Sequence, residues 1–166
     1  YPNFTEVADT KTVKPEAVKR IPVEKTDDMT CDPLVPYRGA QAFEELRYKT
    51  DASGRRPKVF MLAIGNLAMR RARAQFSCNF FAVAGFDVVD NIGFKSVDEG
   101  VKAALEAKSD IVVICSSDDE YSTHAAEAFE KLNGKAIYVV AGEPVCKPDL
   151  EAKGIKNFIS VKSNIL

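Results

Sequence analysis

Lys58-Val59-Phe60-Met61-Leu62-Ala63-Ile64-Gly65-Asn66-Leu67-Ala68-Met69-Arg70-Arg71-Ala72-Arg73 decides the fold of this chain. After Lys58 the run is apolar without a break until Gly65, the pattern of a strand buried on both faces rather than one alternating between core and water. Gly65-Asn66 stops it. A helix is expected next, with Arg70, Arg71 and Arg73 in its first turns and Phe76, Phe80, Phe81 and Val83 farther along. In doubly wound sheets, ligands sit at the carboxyl ends of strands beside such turns. This turn offers Leu67, Ala68 and Met69, with no carboxylate, imidazole or glycine-rich cradle. It reads as a ligand-binding fold that has lost its ligand-binding residues.

Outward from that unit, apolar runs recur at Phe86–Val89, Ile111–Cys115, Ala136–Val140 and Phe158–Val161. Amphipathic stretches separate them. Ser96-Val97-Asp98-Glu99 has capping-box spacing and precedes Val101, Ala104 and Leu105 on one helical face. Ser117-Asp118-Asp119-Glu120 has the same spacing, with Asp118 and Asp119 as first-turn carboxylates opposing the helix dipole. Tyr121, Ala125, Ala128 and Leu132 follow, and Gly134 is placed to end that helix. A last short helix is expected over Pro148–Lys153, closed by Gly154. Alternation of strand and helix predicts a parallel sheet covered on both faces. Right-handed crossovers give a flavodoxin-like (Rossmann-like), doubly wound, five-stranded sheet of order 2-1-3-4-5. Its switch point lies between Gly65-Asn66 and Ser116-Ser117.

Five of the eight prolines fall before residue 37, and all but one of the nine glycines fall after residue 50. The chain therefore divides into an extended tether over 1–36, a connector helix and loop over 37–56, and a domain over 57–166. Within the connector, Arg38–Tyr48 predicts a helix with Ala42, Phe43 and Leu46 on one side, and Asp51–Gly54 reads as a loop. The amino terminus, Tyr1-Pro2-Asn3-Phe4-Thr5-Glu6, has neither a basic region nor an apolar core, so no signal peptide is expected. Without an initiator methionine, a piece of a longer chain is the expectation.

Composition excludes several partners. With 46% hydrophobic residues, 28% charged residues and a net charge of −1, the 166-residue chain makes no electrostatic case for nucleic acid or an anionic membrane. No apolar run approaches the roughly 20 residues of a membrane span. Cys31, Cys78, Cys115 and Cys146 are scattered, and with one histidine a zinc cluster is not expected. Cys78 and Cys115 are expected to be buried thiols, and unpaired thiols suit a reducing cytoplasm.

Four chemistries use a switch point of this kind. A phosphorylated receiver needs acids after the first strand and an aspartate ending the third, where this chain has Cys115-Ser116-Ser117. A flavin-phosphate loop needs hydroxyls and glycines; Gly65 stands before Leu-Ala-Met. A dinucleotide fingerprint, G-x-G-x-x-G, is absent. The fourth is cobalamin, and here a family resemblance becomes specific.

Gln75-Phe76-Ser77-Cys78-Asn79-Phe80-Phe81-Ala82-Val83-Ala84-Gly85-Phe86-Asp87 resembles methylmalonyl-CoA mutase. So do Asp110–Tyr121 and Val140-Ala141-Gly142-Glu143-Pro144, while Arg38–Arg47 resembles the connector between that enzyme's barrel and its carboxyl-terminal domain. The resemblance covers about residues 37–166. It implies a D-x-H-x-x-G motif in the first turn, whose histidine ligates cobalt, a serine motif after the third strand and paired glycines after the fourth. This chain has Ser116-Ser117 and, for the glycine pair, Ala141-Gly142. Its histidine slot falls at Met69 or Arg70, and the final glycine near Ala72. The pattern is similar to the small, non-catalytic subunits of heterodimeric bacterial members.

That resemblance implies no catalytic residue, metal or cofactor in this domain, only a vestigial slot of Gly65, Asn66, Met69, Ser116, Ser117, Ala141 and Gly142. It implies adenosylcobalamin in a partner large subunit, contacts with that subunit and with an upstream barrel, and a structural role in assembly. The alternative is a weak cobalamin-binding or delivery module that leaves the cofactor's own base attached.

Four features stay open on the sequence. Arg70, Arg71 and Arg73 oppose the helix macrodipole at roughly 0.3–1 kcal/mol each, which fits a solvated face, a partner contact or a bound anion. Phe76 and Phe80 are spaced to face the sheet, with Phe81 off that line as a candidate contact. His124, seven residues past Ser117, reads as a boundary or solvent histidine. Gly100, inside a helix, costs about 1 kcal/mol against alanine and suggests close backbone packing.

Overall fold

The computed structural model describes residues 23–34, 36 and 38–166. Pro2, Pro15 and Pro22, on which much of the tether reading rests, lie outside the described residues; residues 23–32 are exposed. The elements are α1 (Gln41–Ala52), β1 (Lys58–Ala63), α2 (Leu67–Val83), β2 (Asp87–Val89) and α3 (Val97–Glu106). They continue as β3 (Ile111–Cys115), α4 (Tyr121–Leu132), β4 (Ile137–Ala141), α5 (Lys147–Ala152) and β5 (Asn157–Ile159).

All five strands are parallel and run β2-β1-β3-β4-β5, the flavodoxin-like order expected. β1 and β3 pair from Val59↔Ile111 to Ala63↔Cys115, so their carboxyl ends finish level. Because successive strand residues face opposite sides, the sheet divides the core in two. Phe60, Leu62, Val112, Ile114 and Val140 meet α3, α4 and α5, whereas Val59, Met61, Ala63, Val113 and Cys115 meet α2. Both central strands are buried on both faces. That burial is why they read as continuous apolar runs.

Small residues let α2 approach closely. Ala74, Ser77, Cys78 and Ala82 are its buried positions, and Phe76, Phe80 and Phe81 are all half-buried beside them. Phe76 and Phe80 pack against the core on this face of the sheet, as expected; Phe81 does so too, which corrects the expectation that it stands off that line. Phe81 also stacks on Phe86 at 6.1 Å. Cys78 and Cys115 are buried, as expected. Burial pushes the Cys115 thiol up to about 12.

On α3 the Ser96 cap forms, its Oγ accepting from Glu99 N at 3.3 Å. Gly100 marks a close approach: a Cβ there would lie 3.0 Å from Leu62 Cγ and 3.1 Å from Phe94. The second capping box behaves otherwise. α4 begins at Tyr121, and Asp118 and Asp119 lie in the turn before it. Its left-handed cap is Asn133 (φ 44°), one residue before Gly134. α5 starts one residue before Pro148, and Gly154 follows with φ +96°.

α1 also departs from expectation. It runs on through Ala52, and it buries Gln41, Arg47 and Thr50 rather than Ala42, Phe43 and Leu46. Phe43 is 38% exposed. α1 joins neither core cluster. Arg47 anchors it instead, laying its side chain against Gly85 and pairing with Asp51 at 3.8 Å. No helix among the described residues is long and apolar enough to cross a membrane.

Candidate functional site

Strand pairing brings the ends of β1, β3 and β4 side by side, and the turns that leave them form one mouth. Gly65 leaves β1 with φ +80°, a left-handed conformation that favours glycine. Asn66 then caps α2, its Oδ1 accepting from Met69 N at 3.1 Å. β3 runs into Ser116 and Ser117, both buried. Beyond β4, Ala141 is buried and Gly142 has φ +140°.

Glu120 fills the space between the first two turns. Its carboxylate accepts from Ser117 Oγ at 2.6 Å, Ser116 Oγ at 2.7 Å, Asn66 N at 3.0 Å and Ser117 N at 3.3 Å. The Ser117 and Ser116 hydroxyls, followed by the Asn66 and Ser117 amides, hold this carboxyl down to about 2 against the opposing effect of burial. Half of the expected capping box is present here, since Glu120 does reach back to Ser117 N. The other half is not: Ser117 Oγ donates to the carboxylate, and Glu120 N goes to Ser117 O at 3.2 Å. A carboxylate is the better acceptor for the hydroxyl, which is why Ser117 to Glu120 forms a turn and α4 starts late.

Arg73 fills the space between the third and fourth strand ends. Its Nη1 donates to Ala141 O at 2.6 Å and its Nη2 to Asp118 Oδ1 at 2.7 Å. The guanidinium lies 5.7 Å from the Tyr121 ring centroid. Tyr121, fully buried, accepts from Ser116 N at 3.0 Å and donates to Ala141 O at 2.6 Å, tying β3 to β4. Arg70 donates to Gly65 O and to Ile92 O, each at 3.2 Å. These carbonyl and carboxylate acceptors offset the cost of cations in the first turns of α2. Arg71 is left exposed.

Of the seven slot residues read from the sequence, six converge here: Gly65, Asn66, Ser116, Ser117, Ala141 and Gly142. Met69 does not. It is 39% exposed, and only its main-chain amide serves the site. His124 is half-buried on α4, with Nδ1 buried and without a hydrogen-bond partner among the described residues. Sequence reasoning missed Glu120 and Tyr121 as site residues, and it singled out Arg73 without the intrachain partners the structure gives it. The S-x-x-E spacing was a usable sign of Glu120, but it fits a helix cap equally well.

No protein-family model matches the chain. A curated relative, the methylmalonyl-CoA mutase small subunit of Porphyromonas gingivalis, is 57% identical over 170 aligned residues, taking in all of this chain and 26% of that protein. This chain belongs to the family of methylmalonyl-CoA mutase small subunits. The small subunit from Streptomyces virginiae is 34% identical over 110 residues, 63% of this chain and 18% of that protein. That from Propionibacterium freudenreichii is 28% identical over 109 residues, 64% and 17% respectively. The chain thus spans about a quarter of the length of the small subunit that it matches in full.

The residues at the mouth do not fit a corrinoid. No imidazole stands in the turn after β1, and among the described residues no cluster of His, Cys, Asp or Glu could hold a metal ion. Ser116, Ser117 and Gly142, which the family pattern assigns to the slot, are engaged by Glu120 and Arg73.

Proposed function

We propose that this chain is the carboxyl-terminal domain of a methylmalonyl-CoA mutase small subunit and that its role is assembly rather than chemistry. In this reading residues 1–36 are a tether, 37–56 a connector and 57–166 a degenerate cobalamin-type domain from which the D-x-H-x-x-G ligand has gone. The holoenzyme is a cytoplasmic heterodimer that interconverts methylmalonyl-CoA and succinyl-CoA, with adenosylcobalamin in the large subunit. The isolated chain has no mutase activity.

The observation that carries the reading is the character of the sheet's carboxyl edge. Where a ligand-binding domain would be open and polar, this edge exposes Leu67 and Met69 in the first turn of α2, and Ile92, Val145 and Val161 on the turns after β2, β4 and β5. Val145 is 98% exposed and Val161 87%. Large apolar side chains left exposed at one edge of a sheet favour an interface there. Its partner is the upstream barrel, with the large subunit beyond it. Arg71 is a candidate for a further contact at this edge and Phe81 for one at the opposite edge, whereas Arg70 and Arg73 are engaged within the chain.

The test uses the whole small subunit co-expressed with its large subunit. Deleting residues 57–166 is expected to abolish co-purification of the pair. A heterodimer that assembles and turns over normally without them contradicts the reading.

A further inference from the structure

We infer that the mouth of this domain is shut by two of its own side chains, Glu120 and Arg73, so that restoring the missing imidazole alone does not turn it into a corrinoid site. The inference rests on the reading above, that the chain descends from a cobalamin-binding fold, but adds a second barrier to the lost ligand.

The two side chains divide the mouth between them. Glu120 reaches from the β3 turn to the β1 turn, and Arg73 reaches from α2 to the β4 turn. Neither position leaves room beside it. A Cβ on Gly65 would stand 2.1 Å from Glu120 Oε2, and a Cβ on Gly142 would stand 1.8 Å from Arg73 Nη1. The space that glycine opens at each strand end is thus taken up by this chain's own charged group.

Neither group is free to swing aside without loss. Moving Glu120 strands the buried hydroxyls of Ser116 and Ser117 and the Asn66 amide, and an unsatisfied buried donor is costly. Moving Arg73 leaves Asp118 unpaired and removes one of the two donors on Ala141 O. Asp118 pairs with Arg73, whose Nε is buried without an acceptor, and four hydroxyl and amide donors answer the Glu120 carboxylate. These are the features of a built plug. They are not those of an empty slot that has only lost its metal ligand.

Hydroxocobalamin is mixed with the 166-residue chain and with variants, then passed through a desalting column and read by visible spectrum. Met69→His and Arg70→His, the two positions the histidine slot can take, are expected to retain no more corrinoid than the unaltered chain. Either histidine combined with Arg73→Ala and Glu120→Ala is expected to retain it at least tenfold more strongly, with the cofactor's lower base displaced. Retention by a single histidine variant overturns the inference, as does a folded triple variant that binds nothing. Binding by the unaltered chain would instead overturn the assembly reading itself. A second measurement needs no corrinoid: Glu120→Ala is expected to melt below the unaltered chain and to recover in sodium formate, a small carboxylate able to refill the vacated donors. Absence of that recovery also overturns the inference.

Discussion

Glu120 has the most consequential environment of any side chain at the mouth, and its protonation gives the site a pH dependence. The folded protein holds this carboxyl near 2, below its ordinary value of 4.5. A group whose pKa is depressed by folding contributes stability above the unfolded value and loses it as pH falls toward the folded one. The stability due to Glu120 is therefore complete at neutral pH, declines below about 4.5 and is gone near 2. Glu120→Gln removes that dependence, because an amide cannot titrate, and weakens the hydroxyl contacts. In urea melts the variant is expected to be about 1 kcal/mol less stable than the unaltered chain at pH 7, with the gap narrowing as the pH is lowered through 4. A gap constant from neutral to acid pH would show that the carboxylate is not held by these donors.

Among the elements, α3 offers the sharpest contest between two effects of known size. Replacing Gly100 by alanine gains about 1 kcal/mol of helix propensity. The added methyl would meet Leu62 Cγ at 3.0 Å and Phe94 at 3.1 Å in a packed core, and overpacking costs about 1–3 kcal/mol. Packing is expected to win, leaving Gly100→Ala about 1 kcal/mol less stable by thermal or denaturant melting; a stabilised variant would mean that α3 shifts at little cost. Elements of this kind were legible from the sequence wherever burial and periodicity coincide. The strands are dry on both faces, so their apolar runs have one reading. α1 was not legible in the same way, because its anchor is the aliphatic stem and charge of Arg47 rather than its apolar face. The start of α4 was misread for a related reason. One spacing of serine and glutamate serves either a helix cap or a crossover plug, and only the neighbouring strand end, 54 residues away at Asn66, decides between them.

Across the molecule, the same separation explains what could be known of the site in advance. Gly65, Asn66, Ser116, Ser117, Ala141 and Gly142 stand at strand ends, and topology alone places them together. Arg73 reaches a carbonyl 68 residues distant, a pairing that no local pattern encodes. Its role became visible only with the strands in register. The molecule that results keeps the sheet order and switch point of a ligand-binding fold, closes the switch with its own charges and turns an apolar rim outward. Everything proposed for it depends on that mouth admitting no cofactor. The most direct measurement is an isothermal titration of hydroxocobalamin into the unaltered 166-residue chain, with the visible spectrum recorded at each addition. Dilution heats alone and the spectrum of free cobalamin are predicted; saturable micromolar binding with a displaced lower base would contradict the account.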